Sequence, residues 1–232
     1  MDLLQQNEFF ELMTRDEKIH PDLAPYLMKG LVGGKFLNHP LVQELTVDPN
    51  KAAFVNKRYE VKKKFLADAF EKKNFHNYIF AHERPYRFLA LKELVEKGVL
   101  DAKQHWENVG SVWIDSENVW QHLVDWKKFW SNKLPNKEHC MDEDERKALA
   151  SLPNTLEVFR GFNGKGNRKG LSWTLDRDKA LYFAGRYKAT KDQPKLVTGT
   201  VEKRFVHAYF TGRDESEIVS EKVRVRHTEI VS

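Results

Sequence analysis

The chain has 232 residues with 41% hydrophobic and 12% aromatic content, enough to bury a sizeable core as one large domain or two small ones, and unlike a disordered tail. No apolar run approaches the roughly 18 residues of a membrane span, and Met1-Asp2-Leu3 lacks the basic start of a signal peptide, so a cytoplasmic protein is expected. The net charge of +5 is a small excess of 39 basic over 34 acidic residues, and the single cysteine, Cys140, excludes an internal disulfide and, with only His139 beside it, a zinc site.

In chain order, the first 150 residues read as helices joined by short loops. Lys57 to Lys73 has helical character but is so charged that it should be largely exposed. Its Lys62-Lys63-Lys64 and Lys72-Lys73 runs could touch phosphate or an acidic protein, although such runs are more often a solvated face, and nucleic-acid binding is the less favoured expectation. Phe88, Leu91, Leu94 and Val95 form an amphipathic stripe that Gly98 can end. Val119, Leu123, Trp126 and Trp130 recur at i, i+4, i+7 and i+11, which predicts one helix from Asp115 to Trp130 capped by Asp115 or Ser116. Pro135 to Asp144 should be a loop, and Glu145 to Leu152 a short helix stopped by Pro153.

Beyond Pro153 the pattern changes to alternating, β-branched and aromatic residues. Strands are predicted at Leu156–Phe162, Gly170–Thr174, Leu196–Val201, Phe205–Phe210, Glu217–Ser220 and Val223–Val231, with one helix from about Asp176 to Tyr187 carrying Ala180, Phe183, Ala184 and Tyr187 on one face. The organisation expected is therefore α+β: residues 1–150 as a helical lobe, which could be integral to the same domain, packed on a mixed β core in residues 151–232.

Three strand segments carry chemistry. Leu156, Val158, Arg160 and Phe162 share a face by the two-residue period, so Arg160 projects from an apolar row and needs an anionic partner. A structural ion pair would satisfy it as well as a ligand would. Ser172 and Thr174 share a face of the next strand, opposite Leu171 and Trp173, and Thr174 or Asp176 can cap the helix that follows. That helix's positive end would suit a phosphate, with Tyr182 and Phe183 offering aromatic faces nearby. Glu215 and Glu217 lie at i and i+2, about 7 Å apart at their Cα atoms, close enough to share a cavity and to oppose each other's ionisation. Alone, that pair would read as a charged edge strand protected from aggregation. The glycine-rich stretch from Gly161 to Gly170 contains Lys165, Arg168 and Lys169, but Asn167 follows Gly166 where a phosphate-binding loop needs lysine, so a turn between strands is the preferred reading.

Taken together, Val158-Phe159-Arg160-Gly161-Phe162, Gly170 to Ala180, and Glu215-Ser216-Glu217-Ile218-Val219 resemble the ADP-ribosyltransferases that carry an arginine, a Ser-Thr-Ser type strand and a Glu-x-Glu pair. The likeness spans roughly the last 80 residues and extends to uncharacterised bacteriophage proteins. It implies a β core of the ADP-ribosyltransferase type that consumes NAD as a co-substrate, with no metal, and modifies a target protein, a bacterial host protein if the bacteriophage likeness holds. It assigns NAD phosphate binding to Arg160, the nicotinamide amide to the backbone of Gly161, and orientation of the catalytic carboxylate to Ser172. Thr174 and Phe183 complete the NAD-binding set; Glu217 is the catalytic carboxylate and Glu215 orients an arginine acceptor. The loop Thr211-Gly212-Arg213-Asp214 would meet the target. Trp173 departs from the family pattern, standing where a small hydroxyl residue is usual. Two alternatives stay open: an NAD glycohydrolase using the same residues with water as acceptor, and a non-catalytic module that holds nucleic acid or a partner with its basic helices.

Overall fold

The computed structural model describes residues 10–30, 33–163, 170–186, 193–212 and 215–231. The chain divides into two compact units, residues 1–100 and 101–232. Both combine helices with an antiparallel sheet, so the protein is α+β.

The first unit contains a feature the helical reading does not anticipate. Leu27–Lys29 (β1), Lys35–His39 (β2) and Val42–Val47 (β3) form a three-stranded antiparallel sheet in that order. Its apolar positions, Leu37, Val42 and Val47, join Leu23, Leu41, Val55 and Tyr59 in one buried cluster. Ala53–Glu71 (α1) contributes to that cluster through its first turns and through the half-buried Leu66, whereas most of the lysine-rich second half is exposed. Asn56 on α1 is buried because it is fully engaged. It accepts from the His20 N–H at 2.8 Å and donates to Glu17 Oε1 and the Lys18 carbonyl at 2.8 and 2.9 Å, which fastens the segment preceding the sheet. Two further helices, Phe75–Ala81 (α2) and Arg87–Glu96 (α3), complete the unit. Gly98 follows α3 at φ +65°, the left-handed conformation expected of a residue ending that helix.

The second unit begins with Ala102–Asp115 (α4), whose N-terminus is fixed by a reciprocal capping box between Asp101 and Gln104. His105, Trp106, Val109, Val112 and Trp113 are its buried face. The helix predicted from 115 to 130 is in fact interrupted: Ser116 is the C-cap of α4, Val119–His122 is a single 3-10 turn, and a separate helix, Leu123–Trp130 (α5), follows. Asp115 therefore closes a helix instead of opening one. Trp113 packs edge-on against Trp126 and Trp130, with ring centroids 5.0 and 5.5 Å away. Glu143–Ser151 (α6) starts at a second capping box, Asp142 with Glu145. Gly110 of α4 sits where a Cβ would lie 2.0 Å from the Cys140 carbonyl oxygen, so this helix can approach the 137–140 turn only because the residue is glycine.

The six-stranded sheet is formed by Thr155–Asn163 (β4), Ser172–Thr174 (β5), Pro194–Glu202 (β6), Ala208–Phe210 (β7), Glu217–Val219 (β8) and Arg224–Ile230 (β9), in the order β7-β8-β5-β4-β6-β9. Every pairing is antiparallel, where a mixed sheet was expected. Arg177–Gly185 (α7) lies against β4 so closely that a Cβ on Gly161 would fall 1.7 Å from the Ala180 carbonyl oxygen. Helices α4 to α6 belong to this unit and not to the N-terminal one; α6 contacts β7, and Trp130 of α5 packs on Phe210. Among the described residues, no helix is long and apolar enough to cross a membrane.

Candidate functional site

The strand pairing that positions the site is uneven. β4 is zipped to β6 over nine residue pairs but to β5 over one, Phe159 opposite Thr174. Past that rung the two strands part, and a cavity of about 450 Å³ opens beside them. Its walls include Phe159 to Asn163 and Gly170 to Thr174 from the parting strands, Phe183 from α7, and Glu215 and Glu217 at the start of β8. β8 pairs with β5, Thr174 opposite Glu217 and Ser172 opposite Val219, so a three-strand stretch brings together segments distant in the chain. The seven residues that the resemblance assigns to catalysis or NAD binding, Arg160, Gly161, Ser172, Thr174, Phe183, Glu215 and Glu217, line this one cavity, whereas Tyr182 is exposed and not part of its wall.

Arg160 reaches across the gap, donating from Nη1 to the Ser172 carbonyl. Its guanidinium lies over Gly170, where a Cβ would come within 2.4 Å of Cζ. Burial lowers its pKa to about 10, while the charge of Glu217 works the other way, so the group stays cationic at neutral pH.

Glu217 is the most perturbed acid. Burial, reinforced by the charge of Glu215, pushes its pKa up to about 7, against the opposing pull of the Ser172 hydroxyl, the Trp113 indole and the Arg160 charge. The Ser172 hydroxyl donates to its carboxylate, and the Trp113 Nε1–H donates to Oε1 at 3.2 Å. At neutral pH this carboxyl is poised near half ionisation.

Thr174 is buried, and its hydroxyl is committed on both sides. It donates to the Glu215 carbonyl and accepts from the Asp176 N–H at 3.0 Å. It thereby fixes the backbone that carries Glu215 and the entry to α7 together. Ser216 has φ +44°, a left-handed conformation that interrupts the strand alternation ahead of β8; the Ser216 carbonyl accepts from the Leu175 N–H at 3.1 Å. The pair of acids is thus held on a pinned turn leading into the strand.

No family model, curated protein or solved structure matches the chain.

One expectation needs revising. The N-terminus of α7 was a candidate phosphate site, but the Asp176 side chain accepts from the Asp178 and Lys179 N–H groups and closes that end with its own negative charge. Gly161 is explained by the approach of α7, since that is where a side chain would clash. Trp173 is buried, with its indole N–H on the Gly170 carbonyl at 3.0 Å, which accounts for a bulky residue at this position. Lys165, Arg168 and Lys169, together with Tyr187, Arg213 and Asp214, lie outside the described residues. Among the described residues there is no group of three or more histidine, cysteine, aspartate or glutamate side chains able to hold a metal.

Two contributors to the site escaped the sequence reading. Trp113 approaches from α4, and its signal was the buried stripe of α4 rather than any catalytic motif. The segment Ser116 to Trp120 forms another part of the cavity wall, with Trp120 65% exposed there. Outside the cavity, Glu145 of the α6 capping box accepts from the Thr211 N–H at 3.1 Å and so anchors the loop that leads toward Glu215.

Proposed function

We propose that the protein is an NAD-dependent mono-ADP-ribosyltransferase that modifies a protein acceptor at arginine, with a β core of the ADP-ribosyltransferase type. The observation that carries the reading is the convergence of Arg160, Ser172, Glu215 and Glu217 on one cavity. The volume, about 450 Å³, falls in the range of roughly 300–1,000 Å³ typical of small-molecule sites. A half-buried guanidinium and a carboxyl lining one cavity match the two charges of a dinucleotide bearing a pyridinium: Arg160 faces the phosphates and Glu217 the nicotinamide ribose.

In this reading the bond between the ribose anomeric carbon and the pyridinium nitrogen breaks, its electron pair goes to the nitrogen, and neutral nicotinamide leaves. Positive charge develops on the ribose. The Glu217 carboxylate, already aimed before that charge appears, stabilises it, and groups used in this way are typically worth roughly 3 to 4 kcal/mol of barrier. An acceptor guanidinium then attacks the anomeric carbon and gives its surplus proton to Glu215, which serves as local base. Glu217 must be ionised to act, so nicotinamide release should fall as pH drops below about 7.

The test is incubation of the protein with labelled NAD and bacterial lysate. Label on a protein band together with free nicotinamide supports transfer. Free ADP-ribose without a labelled band replaces transfer by NAD hydrolysis, and absence of nicotinamide release refutes both. Glu215→Gln should reduce labelling of arginine at least tenfold while leaving NAD hydrolysis within about threefold; equal loss of the two activities would refute the division of roles between the acids.

A further inference from the structure

A carboxylate's last torsion is broad and soft, so an acid that must present a fixed face to developing charge needs hydrogen bonds from outside its own chain. Glu217 has two such donors from different elements: the Ser172 hydroxyl of β5 and the Trp113 indole of α4. The indole is the less expected of the two. It lies 104 residues away in sequence, and an indole N–H can only donate, so its direction is set by the ring.

The ring itself is closely packed. Trp113 is 2% exposed, and Trp126 and Trp130 hold it edge-on at interplanar angles of 88° and 83°. α4 is in turn seated by the Gly110 contact with the Cys140 carbonyl. A packed tryptophan cluster thus ends in a single polar atom, 3.2 Å from Oε1 of Glu217. The other charged groups that act on this carboxylate are Arg160 from β4 and Glu215 from the turn before β8.

We propose that Trp113 is a positioning residue for Glu217, and that its N–H, rather than the bulk of its ring, holds the carboxylate in the orientation the reaction uses. The kinetic part of this inference rests on the proposed function. The hydrogen bond to the carboxylate does not, and it can be measured without NAD.

The experiment compares Trp113→Phe with the unaltered protein and with Trp126→Phe, which loosens the same cluster without removing a donor from Glu217. The first readout is the titration of the Glu217 carboxyl carbon by NMR in protein free of NAD. Losing a donor to the ionised form should raise the midpoint in Trp113→Phe by about half a pH unit to one unit and leave it in place in Trp126→Phe. The second readout is nicotinamide release. In Trp113→Phe, kcat should fall about 3- to 30-fold, the KM for NAD should stay within about twofold, and the acid limb of the pH profile should move up with the carboxyl midpoint. An unchanged midpoint, or an equal shift in the two variants, overturns the inference. Should the unaltered protein release no nicotinamide, the function fails while the titration still decides on Trp113. Should Trp113→Phe fail to fold, benzothienylalanine at position 113 keeps the ring's shape without the N–H and takes its place in both measurements.

Discussion

Replacing the proposed catalytic acid should make the protein more stable. Glu217 is forced from an ordinary pKa of 4.5 to about 7 in the folded chain, so the folded state holds the carboxyl proton more tightly than the unfolded state does. Stability therefore declines as pH rises from about 4.5 to about 7, and above that window the full cost of the buried charge is present. A shift of this size corresponds to about 3 kcal/mol; because the residue is only partly buried, solvent screening reduces the expected effect to about 1 to 3 kcal/mol. Glu217→Gln keeps the shape and an oxygen to accept from Trp113 and Ser172, but carries no charge. It should abolish nicotinamide release, raise stability at pH 8 by about 1 to 3 kcal/mol, and match the unaltered protein at pH 4.5. Urea denaturation at the two pH values, followed by tryptophan fluorescence, measures this directly. If the variant is less stable at pH 8, Arg160 needs its counter-charge more than burial penalises Glu217, and the account of the carboxyl given above is wrong.

The remaining predictions concern the scaffold. Gly161→Ala puts a methyl 1.7 Å from the Ala180 carbonyl oxygen, so α7 must move off β4; a loss of about 2 to 3 kcal/mol in denaturant titration, with reduced nicotinamide release, is expected, and a neutral outcome would contradict the close approach. His207 accepts from Lys137 Nζ at 2.7 Å, and burial together with the Lys137 charge lowers its pKa from 6.5 to about 4. Its contribution to stability is complete above pH 6.5 and is lost as pH falls from 6.5 toward 4. His207→Asn keeps an acceptor for the lysine but cannot be protonated, and should show a shallower acid loss across that window; an unchanged slope would exclude this histidine as its source.

Much of the site could be read before the fold was known because strands encode position with a period of two. Alternation put Ser172 with Thr174, and both line the cavity, although Leu171 and Trp173 line it as well; the two-residue spacing of Glu215 and Glu217 foretold a shared cavity even though the left-handed Ser216 breaks the regular strand. Other features had no local trace. Trp113 looked like one more buried aromatic, since its partner lies 104 residues further on. The stripe from Val119 to Trp130 runs through a 3-10 turn directly into α5, and the break lies ahead of it at residues 116–118, so periodicity alone could not reveal the interruption. The first sheet was hidden by composition. β2 and β3 include lysine, histidine, asparagine, glutamine and glutamate among their eleven residues, and their few apolar side chains become a pattern only when paired across the sheet.

The distance in sequence between the indole and the acid it holds also sets the order of events when the chain is made. Contacts of such long separation cost more loop-closure entropy than local ones and cannot form until both segments exist. A nascent chain emerging from the ribosome has its helices and the arginine strand well before residue 217 appears. The activity proposed here would thus be withheld until β8 docks, and a product cut short before residue 217 would lack the proposed catalytic carboxylate.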